Sequence, residues 1–369
     1  MNTQSIEKFR EALINWYNEN KRTLPWRDIS CPYKIWVSEI ILQQTTVEQG
    51  LSYYICFIEK FDTVFKLAAA SEHDVLKLWQ GLGYYSRARN MHKTAQLLVN
   101  KFNGIFPSSY NDLIKLKGIG PYTAAAILSF AYNLPFAVVD GNVMRVISRL
   151  FAVEEAVNST IGVNIIKTQA EKLFDRENPS VFNQAIMEFG ALHCKVHQPL
   201  CKNCFASDYC MANQKKIQHL LPVKTPKKTS RKRYFIYLVP LIKINNITYT
   251  CIRKRPPNDI WHNLYDFILF ETSHPITASD FIKSRTYAQF LKINNYSKKQ
   301  LTLEPFHKTF IHKLTHQTIY AQFILLKSHD LYIPEIALKI SLTDIQNYPL
   351  PILIDKFIRE LTLFEENNK

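Results

Sequence analysis

Four cysteines just past the middle of the chain have the types and spacing of a metal centre. Cys194, Cys201, Cys204 and Cys210 are separated by six, two and five residues, whereas the other three of the seven cysteines are scattered. Zinc sites usually combine two Cys-x2-Cys pairs or add histidines, and this loop has one such pair flanked by lone cysteines. The spacing therefore favours a cubane 4Fe–4S cluster held by four thiolates. A zinc ion and buried free thiols are the alternatives.

A second stretch with the residue types of a functional site is Leu113–Arg149, in which a glycine turn at 118–120 is followed by a carboxylate, Asp140. Gly118 and Gly120 can adopt a positive φ that strains other residues, and with Pro121 after them they predict a tight turn and then a helix. The free N–H groups of such a turn and the positive end of the helix suit a phosphate. Asp140 follows a short extended segment and is expected to cap the next helix. The alternative is an ordinary turn and an ordinary cap.

The hydrophobic pattern divides the chain into a helical part and a mixed part. Helical periodicity dominates residues 1–216, including a buried helix over 33–47, and strand patterns are almost absent there. Residues 217–232 are basic, contain proline and predict a linker. The remaining residues, 233–369, predict an α+β domain. Its predicted elements are a hairpin of 234–244 with 248–252, a strand at 317–326 and a closing helix at 352–364.

The charge of the chain indicates a polyanionic partner. A net charge of +15 and a pI near 9.3 favour nucleic acid, with a merely basic protein as the alternative. Arg87, Arg89 and Lys93 predict a basic helix face that contacts phosphate or is simply solvated. No apolar run is long enough to span a bilayer, and the N-terminus is unlike a signal peptide. We therefore expect no membrane contact and a reducing compartment, the cytoplasm, where crowded cysteines bind metal.

The order of these motifs resembles the endonuclease III superfamily of DNA glycosylases, and within it the MutY-type adenine DNA glycosylases. The shared features are a helix-hairpin-helix unit, then VDGN (139–142), then the 6-2-5 cysteine loop. Together the matches span nearly all of residues 24–210. The matching stretches are LPWR (24–27), WVSEIILQQTTV (36–47), LWQGLGYYSRARN (78–90), LKGIGPYTAAAI (116–127), VDGNVMRV (139–146), FNQAIMEFGA (182–191) and the cysteine loop.

The resemblance implies both a fold and an activity. The implied fold is mainly α: a helix-hairpin-helix six-helix barrel with an iron–sulfur cluster domain over residues 1–216, then a smaller α+β Nudix-like domain that recognises 8-oxoguanine. The implied activity belongs to base excision repair. A monofunctional glycosylase kinks double-stranded DNA, flips out adenine mispaired with 8-oxoguanine or guanine, and releases it. A monomer acting on the bacterial nucleoid is implied as well.

Two carboxylates, Glu39 and Asp140, match the catalytic positions of that family. Adenine leaves poorly unless its N7 is protonated, so the reaction needs a carboxyl group that keeps its proton near neutral pH. Glu39 lies among apolar residues such as Trp36 and Ile40, although a helical Glu is most often solvated. By resemblance Glu39 protonates the base and activates water, and Asp140 stabilises the oxocarbenium-like sugar. We expect a helix N-terminus to keep Asp140 anionic.

Tyr122 stands where bifunctional relatives have a Schiff-base lysine. That lysine amine attacks the sugar and the strand is then cleaved, whereas a phenol forms no imine. The resemblance therefore implies that Tyr122 assists at the sugar, and simple packing at a helix start is the alternative. The other implied contacts are Trp26, Arg27 and Gln184 around the flipped adenine, Gln44 and Tyr84 as wedges in the emptied base stack, and Gly118 and Gly120 at the DNA backbone.

The second domain resembles the family's Nudix-like recognition domain through RPPNDIWHNLYDF (255–267) and HKLTHQTIYAQF (312–323). The acidic Nudix helix with its metal-binding glutamates is missing, so we expect no pyrophosphohydrolase activity. Thr315 and His316 occupy the recognition-loop position and are implied to read 8-oxoguanine, with ordinary hairpin-loop residues as the alternative. The domain departs from the family pattern at two points: no glycine stands beside Trp261, and Leu314 replaces a common Phe.

Two other functions remain open from the sequence. One is a bifunctional endonuclease III-like glycosylase and AP lyase, against which Tyr122 and the additional domain argue. The other is a non-enzymatic DNA-binding protein that has the same fold. Glu39 together with Asp140 argues against this second alternative, because binding alone needs neither carboxylate.

Overall fold

The computed structural model describes residues 3–226, 229–294, 301–327 and 337–367. The chain divides into two compact units. The first contains Met1–Ala69 and Asn90–Lys227, and the second contains Ala70–Arg89 and Lys228–Lys369. The predicted fold class, a mainly α region followed by a smaller α+β unit, is confirmed. None of the helices in the described ranges is both long enough and apolar enough to cross a membrane.

Helices make up the regular structure before the sheet of the second unit. Several begin at a hydroxyl cap, as where the Ser159 side chain accepts a 3.0 Å hydrogen bond from Gly162 N. The helices are α1 (Thr3–Asn20), α2 (Pro32–Leu42), α3 (Val47–Lys60), α4 (Val64–Ala69), α5 (Glu72–Leu78), α6 (Ser86–Phe102), α7 (Tyr110–Leu113), α8 (Pro121–Tyr132), α9 (Gly141–Leu150), α10 (Thr160–Leu173), α11 (Pro179–Leu192) and α12 (Met211–Gln214).

The core of the first unit joins α1, α9, α10 and α11. Phe9, Leu13 and Ile147 are fully buried in it, and Phe189 is almost so. The apolar positions of α9 recur every three or four residues, so one face of this helix packs inward while its N-terminus stays at the edge of the core. This packing fixes the position of Asp140, the N-cap residue of α9.

The predicted helix over 33–47 is shorter in the structure. Helix α2 ends at Leu42, a turn follows, and α3 begins at Val47. Gln44 in that turn has φ of 57°, a left-handed conformation that interrupts the helix. The hydrophobic pattern runs across the break because residues on both sides of it face apolar surroundings.

The second unit is built on strands whose longest pair is parallel. Strand β1 (Arg231–Ile244) pairs with β7 (Gln317–Lys327) in parallel over residues 231–241, and its other partners are antiparallel. The predicted hairpin is confirmed, with Asn245 and Asn246 both at positive φ in its turn. The other elements are β2 (Ile247–Lys254), β3 (Tyr265–Asp266), β4 (Ile268–Thr272), α13 (Ala278–Ile282), α14 (Arg285–Ile293), β5 (Thr302–Pro305), β6 (Phe310–Lys313), β8 (Ala337–Ser341) and α15 (Ile352–Asn367). The strand order is β3-β2-β1-β7-β5, with β4 on β1, β6 on β7 and β8 on β2.

Part of the predicted linker, 217–232, is attached to the first unit. Val157 N donates a 2.9 Å hydrogen bond to Val223 O, and Asn158 and Thr225 exchange two more, of 2.7 and 3.0 Å. Strand β1 then begins at Arg231, inside the predicted linker. The basic segment therefore does connect the two units, and it is hydrogen-bonded to the first unit as far as Thr225.

Residues 70–89 belong to the second unit, although the sequence boundary at 216 assigned them to the first. Tyr85 donates its hydroxyl to Leu350 O at 3.3 Å, and Arg89 Nη1 donates to His262 O at 2.9 Å. Gln80 accepts a 3.2 Å hydrogen bond from Leu350 N. These bonds connect residues more than 170 positions apart, so local sequence patterns do not predict them.

Candidate active site

A cavity of about 540 Å³ opens in the first unit and gathers most of the predicted catalytic residues. Helices α2, α8, α9 and α11 contribute its walls, together with the loop that carries Trp26. Its predicted members are Trp26, Arg27, Glu39, Gln44, Tyr122, Asp140 and Gln184.

Glu39 is the buried acid of this cavity. Helix α2 is apolar on nearly every side, and the Glu39 side chain is 6% exposed. The Tyr122 hydroxyl donates a 2.6 Å hydrogen bond to Glu39 Oε2. Burial raises the pKa of Glu39 to about 7, and the hydrogen bond from Tyr122 opposes that rise. A carboxyl group with this pKa holds its proton at and below neutral pH, as a general acid must.

Asp140 is a second carboxylate of the same cavity, and it caps the N-terminus of α9. Its Oδ1 accepts hydrogen bonds from Asn142 N at 2.9 Å and Val143 N at 2.7 Å, and its Oδ2 accepts one from Asn142 Nδ2 at 2.8 Å. Burial raises the pKa of Asp140, and these donors oppose the rise. The predicted cap is present, and desolvation outweighs the donors in the direction of the pKa. That Asp140 acts as an anion stays a prediction.

Tyr122 is the second residue of α8, which begins at Pro121 immediately after the turn of Gly118 and Gly120. Burial raises the pKa of its phenol well above the ordinary value, and the nearby Glu39 acts in the same direction. The hydroxyl is therefore a neutral hydrogen-bond donor. Gly118 has the expected positive φ of 85°, and a Cβ there would meet the Asn90 Cβ at 2.9 Å. Gly120 is extended, with φ of −93°, so of the two glycines only Gly118 adopts a positive φ.

Glu188 is a buried carboxylate of the cavity that sequence reasoning missed. It is 1% exposed and accepts hydrogen bonds from Arg22 Nε at 2.7 Å and Arg27 Nη2 at 3.0 Å. Burial alone would raise the pKa of Glu188, but the two guanidinium groups outweigh it and lower the pKa. A glutamate in the apolar run of α11 was the available signal.

Arg27 and Gln184 are connected through one tyrosine. Arg27 Nη1 donates to the Tyr17 hydroxyl at 2.6 Å, and that hydroxyl donates to Gln184 Oε1 at 3.3 Å. Trp26 is buried and packs edge-on against Tyr54, with 5.0 Å between ring centroids. Three residues expected around a flipped base are therefore held by fixed neighbours.

The two predicted wedges belong to different units. Gln44 lies at the cavity of the first unit, and Tyr84 is in the second. Both are exposed and both have positive φ, of 57° and 47°. The Tyr84 hydroxyl forms a short hydrogen bond with the Thr315 hydroxyl. His316 is exposed beside it, and its carbonyl accepts a 3.0 Å bond from Arg231 N.

The expected basic face of α6 is largely covered. Arg87 Nη2 donates to Gly83 O at 3.3 Å, and its guanidinium lies over the Trp79 ring, 5.2 Å from the centroid. Burial lowers the pKa of Arg87 to about 10. Arg89 is also half-buried. Protein contacts therefore cover part of these two arginines, and their contact with phosphate stays a prediction.

The four cysteines line a second, small cavity of about 30 Å³. Burial raises the pKa of the Cys204 thiol to about 12 and also raises those of Cys201 and Cys210. Arg149 Nη1 lies 3.4 Å from the Cys194 sulfur and 2.6 Å from Lys195 O. In the described ranges, no three metal-binding side chains are close enough to hold one ion.

Comparisons with known proteins agree with the fold of the helical region. The family model described as "HhH-GPD superfamily base excision DNA repair protein" matches residues 37–172. A thermostable thymine-DNA glycosylase structure is 27% identical, with a TM-score of 0.53 over 57% of this chain and 98% of that one. A non-covalent endonuclease III–DNA complex, at 23% identity and TM-score 0.51, shares the fold over 59% of this chain and 99% of its own.

Curated relatives extend the similarity beyond the helical region. The adenine DNA glycosylase of Buchnera aphidicola subsp. Baizongia pistaciae is 35% identical over 314 residues, which are 85% of this chain and 84% of that protein. The human adenine DNA glycosylase is 40% identical over 225 residues, 58% of this chain and 41% of that protein. The first match is longer than the helical region, so it includes residues of the second unit, and we conclude that the chain belongs to the adenine DNA glycosylase family.

Proposed function

We propose that this protein is a monofunctional DNA glycosylase that removes adenine opposite 8-oxoguanine or guanine in double-stranded DNA. It acts in base excision repair as a monomer in the bacterial cytoplasm, on the nucleoid. The observation that carries the proposal is the pairing of Glu39 with Tyr122 in a cavity that also contains Asp140. Depurination needs a proton donor for the base and an anion that stabilises the sugar cation. Glu39, a buried acid with a pKa near neutrality, supplies the proton, and Asp140 at the start of a helix supplies the anion.

The reaction begins with a proton transfer to the flipped base. Protonated Glu39 donates its proton to adenine N7, and the bond between sugar C1′ and adenine N9 breaks with its electron pair going to the base. The Glu39 carboxylate then accepts a proton from the water that attacks C1′. The acid is thereby regenerated, and the products are free adenine and an abasic site.

Asp140 stabilises the positive charge that develops on the sugar. Three hydrogen bonds from Asn142 and Val143 favour its anionic form and fix the direction of its carboxylate. The two carboxyl groups thus have opposite protonation needs, as in glycosidases.

Tyr122 makes the enzyme monofunctional. Its hydroxyl is a neutral donor directed at Glu39 and offers no amine for a Schiff base. The strand therefore stays intact after adenine is released.

The base and the opposite strand are held by separate groups. Trp26, Arg27 and Gln184 surround the flipped adenine, and Gln44 and Tyr84 act as wedges in the emptied base stack. Thr315 and His316 read the opposite base from the second unit, which is the Nudix-like domain of 233–369 together with the segment 70–89. The turn of Gly118 and Gly120 is exposed and binds the DNA backbone through its amides.

The four cysteines fit a 4Fe–4S cluster. They supply four soft sulfur donors in one buried cavity, and Arg149 adds a positive charge that offsets the negative charge of such a centre. Cys194, Cys201, Cys204 and Cys210 would hold it, and when bound it supplies a compact cross-link of the loop and a one-electron centre. Elemental analysis tests this directly, with four irons expected per chain and stoichiometric zinc as the contradicting result.

The activity is tested on end-labelled duplexes that contain adenine opposite 8-oxoguanine, guanine or thymine. We expect adenine release from the first two, strand cleavage only after alkali, and no borohydride-trapped complex. Cleavage without alkali together with efficient trapping would identify the bifunctional alternative. Tight binding without adenine release would identify a non-enzymatic DNA-binding protein.

A further inference from the structure

His193 is fixed next to the first cysteine of the cluster loop. Its ring stacks on Phe189, with 5.1 Å between centroids and an interplanar angle of 14°, and meets the Trp16 ring edge-on. Its backbone N donates to Phe189 O at 2.9 Å, and its carbonyl accepts from Leu200 N at 3.1 Å. The ring therefore has little freedom to turn.

The buried nitrogen of this ring has no partner. His193 is 8% exposed, and within the described part of the chain its Nε2 is buried without a hydrogen bond. The same cavity that the four cysteines line is also lined by His193 and by Gln218, whose Oε1 is a second buried polar atom without a partner. Buried polar groups in native proteins almost always have partners, so two such groups at one cavity indicate a bound acceptor or donor.

Packing alone does not account for a histidine at this position. A phenylalanine would make the same stack on Phe189 and the same edge contact with Trp16. What histidine adds is a ring nitrogen, Nε2, and in the neutral tautomer that carries its proton on Nε2 this atom is a hydrogen-bond donor. A cluster in this cavity presents sulfur atoms, which are acceptors, so the unsatisfied nitrogen and the proposed group are chemically complementary.

We propose that His193 donates a hydrogen bond from Nε2 to a sulfur of the cluster and thereby raises the cluster's reduction potential. The inference rests on the proposed cluster and deepens it. Reduction adds negative charge to the sulfurs, and a donor stabilises the reduced state more than the oxidised one. Gln218 adds a second donor when its amide is turned so that Nε2 faces the cavity.

The test begins with the wild-type holoprotein. Histidine labelled with ¹⁵N is incorporated, the cluster is made paramagnetic by one-electron cryoreduction, and electron-nuclear double resonance is recorded in H₂O and D₂O. We expect one coupled histidine nitrogen and one exchangeable proton. A holoprotein without histidine coupling overturns the proposal, and so does an exchangeable coupling that comes from water alone.

A pair of variants separates the hydrogen bond from the packing. His193→Phe keeps the stack and removes the donor, whereas His193→Gln removes the stack and keeps a donor. Protein-film voltammetry is expected to give a more negative potential for His193→Phe and a nearly wild-type potential for His193→Gln. The reverse order, or equal potentials, contradicts the inference.

Iron content distinguishes the two proposals. Wild-type protein without iron overturns both the cluster and the role of His193. Four irons with an unchanged potential in His193→Phe overturn only the role of His193. If His193→Phe fails to load iron, the wild-type resonance experiment still decides the question.

Discussion

The hydroxyl of Tyr122 donates a 2.6 Å hydrogen bond to Oε2 of Glu39, connecting α8 to α2 across 83 positions of sequence. The bond stabilises the carboxylate form of Glu39, whereas burial stabilises the protonated form. The balance of these two effects leaves the acid with a pKa near the pH at which it must act. Tyr122 therefore sets the proton affinity of a group that it also orients.

Replacing the acid removes the chemical step and leaves binding largely intact. Glu39→Gln keeps the shape of the side chain and its hydrogen bond to Tyr122 but has no proton to donate. We expect single-turnover adenine release to fall by at least about 1000-fold, within the range that general acid catalysis contributes. Affinity for the mismatch is expected to stay within about tenfold. A variant that retained near-normal turnover would remove Glu39 from the mechanism.

The pH dependence of excision reports the protonation of Glu39. An acid works only while it carries its proton, so the rate is expected to fall as the pH rises through about 7. Tyr122→Phe removes the hydrogen bond that lowers the pKa of Glu39, so its profile is expected to fall at a higher pH. Single-turnover rates between pH 5 and 9 check both curves. A Tyr122→Phe profile displaced toward lower pH would contradict the assigned direction.

The raised pKa of Glu39 lowers the free energy of unfolding at high pH, where the buried carboxyl group is ionised. Between the ordinary value of 4.5 and about 7 the folded chain binds more protons at Glu39 than the unfolded chain does. Stability contributed by this group is therefore lost as the pH rises through that window. Glu39→Gln lacks the titration and should gain up to about 3 kcal/mol relative to wild type between pH 4 and pH 8. Denaturant unfolding at both pH values measures the difference, and equal effects would contradict it.

Glu188 is expected to be essential for holding Arg27, the arginine that we propose binds the flipped base. Glu188→Gln leaves Arg22 and Arg27 without their shared carboxylate, a loss of about 3 kcal/mol for a buried pair. Arg27 would also be less well positioned, so adenine release should slow by about tenfold or more. Urea unfolding and single-turnover excision give the two readouts.

A surface pair provides the control for that experiment. Glu171 and Arg176 form an exposed 2.7 Å ion pair in the same unit. Glu171→Gln is expected to cost less than about 1 kcal/mol and to leave excision unchanged. Equal effects of the two substitutions would mean that Glu188 has no special role.

The recognition loop of the second unit is expected to govern the choice of opposite base. Thr315→Ala combined with His316→Ala removes two polar groups that can read the edge of 8-oxoguanine. The preference for 8-oxoguanine over guanine should narrow by about 1–3 kcal/mol, roughly 5- to 150-fold. Competition between the two duplexes measures it, with Thr302→Ala on β5 as the control. Wild-type preference in the double variant would show that this loop does not read the lesion.

Local patterns in the sequence were sufficient to predict the residues of the site whose signal is short-range. The cap at Asp140, the apolar setting of Glu39 and the hairpin at Asn245 all follow from neighbours within a few positions. Helix α2 was predicted too long, because hydrophobic periodicity does not report the left-handed residue, Gln44, that ends it.

What the sequence did not reveal depends on contacts between distant residues. Glu188 and Arg22 are 166 positions apart, so neither residue alone predicts their pairing. The upward direction of the Asp140 pKa comes from burial by several helices, whereas the sequence displays only the cap. The contact of Tyr84 with Thr315 spans 231 positions and needs the second unit to be assembled.

The membership of residues 70–89 in the second unit determines how this chain can be truncated or divided into domains. A chain cut after Lys216 would lose Leu350 and His262, the hydrogen-bond partners of Tyr85 and Arg89. Such a truncation does not isolate a catalytic module, because residues 70–89 remain in the shortened chain after the rest of their unit has been removed. Chimeras that exchange the second domain between relatives should therefore exchange residues 70–89 as well. We expect residues 70–89 and the second domain to have evolved together.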